Sequence, residues 1–264
     1  MHPLTNIQVP PNRIAVHWFG QSTFAVKSPA GTILHIDPYF PSKRPAEKYK
    51  HTQPPVIESE LPVDGVLLTH DHSDHTCPES LARIRAAFPK AVYAGPPESL
   101  KRVIDQKTGI APEQFTVVNS GSIFTLKDFT AHFVYSKPPQ GDPTAKIEPP
   151  DVTHLGIVLV CGAIRMYFTG DPIHTFPDLQ ELVEPVKALN PQVGWLTCHP
   201  SEGEFPFFAG SVQMGQRCGL RIAFPSHYDC FVKRDYDPKE WARGFAGTGI
   251  ETRQIGYNQS TMIL

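Results

Sequence analysis

Three imidazoles and two carboxylates fall within the seven residues Thr69-His70-Asp71-His72-Ser73-Asp74-His75. They follow the apolar run Val63-Asp64-Gly65-Val66-Leu67-Leu68, which predicts a short buried strand ending where the cluster begins. One helix face cannot carry them, because on a helix His70 and His72 point about 200° apart. On a loop beyond a strand end, alternate residues can converge on one point. Imidazole nitrogens and carboxylate oxygens are the donors that zinc, manganese and iron(II) accept. A solvated loop would also hold His and Asp, yet so many titratable groups beside a buried strand are costly to desolvate without a cation.

Around this cluster the chain alternates strands, helices and proline-rich loops. Met1 to Asn12 is a polar lead expected to lie over the surface, and Arg13 to Val26 predicts two short strands around Gly20-Gln21-Ser22. Thr32 to Pro38 is a strand ended by proline, which places Asp37 at a strand terminus. Residues 39–62 carry Pro41, Pro45, Pro54, Pro55 and Pro62 without periodicity, and so predict a long loop able to cover a site. After the cluster, Pro78 to Phe88 and Pro97 to Lys107 predict helices opened by proline. Strands are expected at Ala91–Gly95, Val117–Val118, Ser122–Leu126 and Phe129–Tyr135, and an irregular loop over 136–151.

Leu155–Cys161 and Arg165–Thr169 predict a hairpin turning at Gly162-Ala163. Phe176 to Leu189 is helical except where Pro185 intrudes, and Val193–Thr197 is a buried strand. A helix over Ser211–Cys218, a strand over Arg221–Phe224, a helix over Pro238–Gly244 and a closing strand over Thr252–Gly256 complete the chain. No repeat and no break in composition appears, so residues 1–264 are expected to form one domain. Two sheets packed face to face with helices outside satisfy this order, as would a doubly wound sheet.

Composition narrows the partners. A net charge of −2 leaves no electrostatic footprint for nucleic acid or an anionic membrane surface. No run approaches the roughly eighteen apolar residues of a membrane helix, and the N-terminus lacks a basic region followed by an apolar one. The five cysteines are odd in number and form no CxxC pair, which points to reduced thiols and a cytoplasmic setting. Cys77, just beyond the cluster, is expected as a small buried filler. The 28 prolines imply a loop-rich chain.

The pattern HxHxDH after an apolar strand resembles the signature of the metallo-β-lactamase fold superfamily of metal-dependent hydrolases. His17-Trp18-Phe19-Gly20 and Ile36-Asp37-Pro38 before it, Phe168-Thr169-Gly170-Asp171 after it and Pro225-Ser226-His227 near the end extend the resemblance over nearly the whole chain. Within the superfamily, the Trp-Phe-Gly opening, the Gly-Asp-Pro-Ile-His step and the Pro-Ser-His-Tyr-Asp ending are most similar to the branch of L-ascorbate-6-phosphate lactonase. The resemblance implies an α+β fold, an αββα four-layer sandwich of two mixed β-sheets flanked by helices. It implies metal ligands at His70, His72, Asp74, His75, Asp171 and His227, with Asp171 bridging two ions. It also implies that Asp37 orients a metal-binding histidine by a hydrogen bond.

The chain departs from the family pattern at one place. A further histidine is expected between the cluster and Asp171, but the register of Thr130 to Ser136 puts Ser136 there, and His132 reads as an ordinary strand residue. The site built from Asp74, His75, Asp171 and His227 therefore looks complete, while His70, His72 and the shared Asp171 leave the other weak. His154 is a spatial substitute or a substrate contact. One or two divalent transition metals are expected, zinc or manganese first and iron after them.

With such an ion, a metal-bound hydroxide would attack a small lactone, ester or related carbonyl substrate, with Asp74 as the proton acceptor and Asp171 as the second catalytic carboxylate. His154, His174, His199 and Tyr228 are the candidate substrate contacts. Lys233 and Arg234 are either a phosphate-holding pair or a solvated one, and Glu204-Phe205-Pro206-Phe207-Phe208 is a candidate apolar wall or subunit contact. The alternatives are a phosphodiesterase on the same fold and a non-catalytic metal-binding scaffold with a degraded site. A small-molecule substrate is expected, with no nucleic acid and no membrane partner, and a homo-oligomer is open.

Overall fold

A computed structural model describes residues 1–203 and 205–263. Its first half runs β1 (Ile14–Trp18), β2 (Phe24–Lys27), β3 (Ile33–Ile36), β4 (Gly65–Leu67), β5 (Val92–Gly95) and β6 (Phe115–Val117). A second sheet follows, with β7 (Ile123–Leu126), β8 (Phe129–Tyr135), β9 (Leu155–Cys161), β10 (Ile164–Phe168), β11 (Val193–Thr197), β12 (Ile222–Ser226) and β13 (Glu251–Thr252). The last strand, β14 (Gln259–Ile263), returns to the first sheet and pairs antiparallel with β1. The sheet orders are β14-β1-β2-β3-β4-β5-β6 and β13-β12-β11-β10-β9-β8-β7. Both mix antiparallel and parallel neighbours: β1, β2 and β3 meander, whereas β3 to β6 run parallel, joined by a long loop with one 3-10 turn after β3 and by helical crossovers after β4 and β5.

The two sheets meet through an aromatic ladder. Phe168, Trp195 and Phe224 are register neighbours on β10, β11 and β12, and their rings stack at 4.6 and 5.0 Å. Phe24 of the first sheet meets Phe168 edge-on at 5.1 Å. All four side chains are at most 2% exposed. Burying each contributes roughly 1.5–3 kcal/mol, and such ring pairs add about 0.5–1.5 kcal/mol.

Helices α2 (Pro78–Ala87) and α3 (Pro97–Asp105) cover the outer face of the first sheet, where Leu81, Ile84 and Val103 pack on Val66, Leu68 and Tyr93. Helices α4 (Gln180–Ala188) and α5 (Phe208–Arg217) cover the second, through Leu182, Val183, Val186 and Met214. This is the four-layer αββα sandwich; a single doubly wound sheet is excluded.

Three local expectations change. The N-terminal lead contains a short helix, α1 (Pro3–Asn6), with Leu4 buried; the Lys27 ammonium donates to its Leu4 and Thr5 carbonyls and to that of Ile7 just beyond it. Pro185 lies inside α4 without ending it, since the apolar stripe Leu182-Val183-Val186 is anchored on the sheet and outweighs one lost hydrogen bond. The expected closing strand over 252–256 is only the two-residue β13; the strand that closes the chain is β14, whose polar Gln259-Ser260-Thr261 hides its pairing with β1. Among the described residues no helix is long and apolar enough to cross a membrane.

Candidate metal centre

Every element that carries a candidate ligand ends at the same edge of the sandwich. His70, His72, Asp74 and His75 follow β4, His154 precedes β9, Asp171 follows β10 and His227 follows β12. The turn at His227 (φ 63°), and that at Asp37 (φ 45°) after β3, use left-handed backbone, which both residue types tolerate. Gly170 has φ 57°, and a Cβ there would lie 2.5 Å from the Leu155 carbonyl oxygen and 3.1 Å from Thr69 Cβ. Beside it the Leu155 amide donates to the Thr69 carbonyl at 3.0 Å, joining the two sheets.

The donor atoms fall into three overlapping groups, each with its atoms within 4.8 Å of one another: His70, His72 and His154; His70, His75 and Asp171; Asp74, His75 and His227. Asp171 stands between them. Its Oδ1 lies 3.3 Å from His75 Nε2 and 3.2 Å from His227 Nε2, and its Oδ2 lies 3.7 Å from His70 Nε2.

Ring nitrogens also face one another, His75 Nε2 to His227 Nε2 at 3.3 Å and His70 Nε2 to His72 Nδ1 at 3.1 Å. Two imidazole lone pairs repel at that distance unless a proton or a cation lies between them. Asp171 Oδ1, His154 Nδ1 and His227 Nδ1 are buried without a hydrogen bond. The donor set and these orphaned atoms fit a divalent transition metal.

The electrostatics agree. Burial keeps His70 and His227 far below the ordinary histidine value and lowers His154 to about 4, so these rings are neutral, as ligands must be. Asp171 is held well below the usual carboxylate range, because the surrounding rings of His227, His75 and His70 outweigh its burial. His75 is the exception: burial opposes its charge, but Asp171 and Asp37 outweigh that and hold it well above the ordinary value.

Asp37 is fully buried and accepts three hydrogen bonds, from the Thr69 amide at 2.8 Å, Thr69 Oγ1 at 2.6 Å and His75 Nδ1 at 2.8 Å. That contact keeps the His75 proton on Nδ1 and turns Nε2 toward Asp171.

Each remaining sequence candidate finds a definite place. His154, read as a substrate contact or a substitute ligand, stacks on His70 with ring centroids 4.3 Å apart and belongs to the His70–His72 group. Ser136 explains why: its amide donates to the His154 carbonyl at 3.1 Å, so the two face each other across β8 and β9. The imidazole sits one strand over from where spacing along the chain predicts it.

His199 stacks on His227 at 3.9 Å, anchors Nδ1 on the Pro200 carbonyl at 2.9 Å, and leaves Nε2 buried without a partner. His174 instead turns its ring to Glu202 and Phe205. Tyr228 is stacked on Trp18 and lines a separate cavity of about 480 Å³ that contains none of the candidate ligands. A position near a strand end does not fix which way a ring turns, so neither ring joins the candidate ligand groups. Asp71, the first of the two acids in the cluster, faces away and pairs with Arg102 of α3. Of the aromatic loop, Glu204 lies outside the described residues, while Phe207 packs into the core. Cys77 is buried, as expected of a filler, beside Tyr39, Tyr49 and Cys230.

The sequence marks Gln21 only as a turn residue. Its Nε2 donates to Asp74 Oδ2 at 2.8 Å, and its carbonyl accepts the His227 amide at 3.0 Å. It thereby couples the β1–β2 turn to two candidate ligands. Its left-handed φ of 54° is the one local sign of that duty, and composition does not show it.

A Beta-lactamase superfamily domain model matches residues 32–228, about three quarters of the chain. The chain belongs to the beta-lactamase superfamily. Among its relatives, a UPF0173 metal-dependent hydrolase of Halobacterium salinarum is 29% identical over 239 residues, covering 89% of this chain and 91% of that protein. Igni18, a metallo hydrolase of the archaeon Ignicoccus hospitalis, superposes with a TM-score of 0.71 at 18% identity, over 96% of this chain and 99% of that one. An isothiocyanate hydrolase from Delia radicum gut bacteria gives 0.71 at 16% identity, over 94% and 98%. By kind, the chain is a metal-dependent hydrolase of this superfamily.

Proposed function

We propose that the chain is a single metallo-hydrolase domain, residues 1–264, that opens a small lactone, ester or related carbonyl compound. The observation that carries this reading is the sharing of Asp171 between two imidazole groups. His70, His72, His154 and Asp171 would hold one ion, and Asp74, His75, His227 and the same Asp171 a second. With His154 in place, the gap that Ser136 leaves is filled, which weighs against a degraded scaffold. Zinc or manganese suits the donors best. A divalent cation held there would lower the pKa of a bound water toward about 7 and polarise a carbonyl.

The protein's own groups do the rest. Asp37 fixes the His75 tautomer. Asp74, held by Gln21 and by Arg234 Nη1 at 3.3 Å, is only 16% exposed and is the carboxylate placed to take a proton and return it to the leaving oxygen. His199 Nε2 offers a further acceptor for a substrate hydroxyl or amide.

The likeness of the narrower motifs to the lactonase branch supports a lactone or ester. The isothiocyanate hydrolase on the same fold widens the class to other electrophilic carbon centres. A panel of lactones and aryl esters, run against bis(4-nitrophenyl) phosphate, decides between carbonyl and phosphoryl substrates. Asp171→Ala should lose bound metal and hydrolysis together. Metal content unchanged in that variant would refute the shared-ligand role.

A further inference from the structure

Beside Asp74 opens a cavity of about 400 Å³. The long loop after β3 and the segment after His227 build it jointly. They pair at Tyr49 and Phe231 as an antiparallel bridge, with the Val232 amide donating to the Lys48 carbonyl at 2.9 Å and the Lys50 amide to the Cys230 carbonyl at 3.0 Å. This short ladder fixes what each segment presents. Tyr39 and Phe231 form an aromatic wall with ring centroids 5.9 Å apart, and Tyr39 is braced by a 2.6 Å hydroxyl contact to Tyr49.

Cationic side chains gather on the same wall. Lys48 Nζ lies 5.6 Å and Arg234 Cζ 5.3 Å from the centre of the Phe231 ring, and Lys233 lines the cavity beside them. The acids of the lining are Glu47 and Asp74. Neither Lys48 nor Lys233 has a carboxylate within ion-pair distance among the described residues. Arg234 reaches Asp74 and so joins the cationic wall to the metal-binding groups. With Asp74 committed to a cation, the three cations Lys48, Lys233 and Arg234 outnumber the one remaining acid of the lining, Glu47.

We propose that this cavity is the substrate's anchoring subsite, and that it takes a small organic anion. A carboxylate or phosphoryl group would lie on Lys48, Lys233 and Arg234, with an apolar or aromatic body on Tyr39 and Phe231. The proposal rests on the hydrolase reading, because the anchor matters to function only if a bond beside Asp74 is the one cut. The wall's geometry suits this ligand: guanidinium and ammonium groups give charge-assisted hydrogen bonds to an anion, and the rings bury its body. It also disfavours long polynucleotides, since the cations are confined to one concave face on a chain of net charge −2.

The test is binding by titration calorimetry on the metal-loaded protein, with turnover measured separately. Phenylphosphonate and benzoate are the two anionic probes, inorganic phosphate is the anion without a ring, and benzyl alcohol is the ring without a charge. One of the two aryl anions should bind at least tenfold more tightly than both phosphate and benzyl alcohol, and which of them does identifies phosphoryl or carboxylate as the anchor. The double variant Lys48→Gln, Lys233→Gln, altered only at exposed positions, should weaken that probe about tenfold.

Unchanged affinity in the double variant would place the anion on the metals and overturn the assignment. Equal binding of inorganic phosphate would overturn the aromatic half. If the binding pattern holds but no carbonyl or phosphoryl compound is turned over, the subsite stands and the hydrolase reading fails instead.

Discussion

Replacing Asp37 by asparagine isolates one hydrogen bond at the centre of the site. The amide has the carboxylate's shape, and asparagine tolerates the left-handed backbone at φ 45°. In the native protein one oxygen accepts the Thr69 amide, while the other accepts both Thr69 Oγ1 and His75 Nδ1. An asparagine has a single carbonyl oxygen. If that oxygen faces the Thr69 amide, the NH2 group meets the His75 N–H and forces the ring into its other tautomer, with a proton on the nitrogen that faces Asp171. If it faces His75, two N–H donors collide at Thr69.

Either arrangement costs a charge-assisted hydrogen bond, about 1.5–3 kcal/mol. Loss of such an orienting partner lowers metal affinity about 10–100-fold, equivalent to about 1.4–2.8 kcal/mol. Competition with a chromophoric chelator measures this directly. The unfolding temperature of the metal-free variant controls for damage to the fold and should move little, since the amide also removes a buried carboxylate. Affinity within twofold of the native protein would refute the argument that Asp37 sets the His75 tautomer.

Two further outcomes are expected. His154→Ala should drop metal stoichiometry from two ions to one while leaving the ion near His75 and His227, as read by elemental analysis; full retention of two would remove His154 from the ligand set. His35 is fully buried, both its ring nitrogens lack partners, and burial lowers it to about 3. The unfolded chain takes up a proton on this ring below about pH 6.5 and the folded chain does not, so stability falls as pH drops through that window. The loss reaches about 2–3 kcal/mol between pH 6.5 and 4.5. His35→Leu should flatten that slope in thermal melts at fixed metal load; an unchanged slope would show that the ring contributes nothing to acid sensitivity.

Much of the layered fold was legible, because strands buried on both faces are nearly continuous apolar runs and proline marks both helix starts over the first sheet. β14 was hidden, since a strand at the edge of a sheet tolerates polar side chains and carries no apolar run. At the site, dense clustering made His70 to His75 readable, and the strand-end positions of Asp171 and His227 pointed to a shared rim. His154 was harder, because a cross-strand neighbour is invisible to spacing along the chain. Gln21 was missed because amide side chains are common in turns, and only the pairing of distant loops gives this one a role. His174 and Tyr228 show the converse: proximity in sequence says nothing about ring direction, and their rings turn to Glu202 and Trp18.

The hydrogen that takes the place of a side chain at Gly170 has reach beyond its own turn. A methyl group there would press on Leu155 from the second sheet and on Thr69 from the first, acting as a wedge in the seam between the layers. The carboxylate next door belongs to one layer and most of the facing imidazoles to the other, so prying the seam open separates them all at once. Gly170→Ala should therefore lower metal content at all the candidate ligand groups together, as read by elemental analysis, because the spacing of these groups is governed by how closely two backbones are allowed to approach.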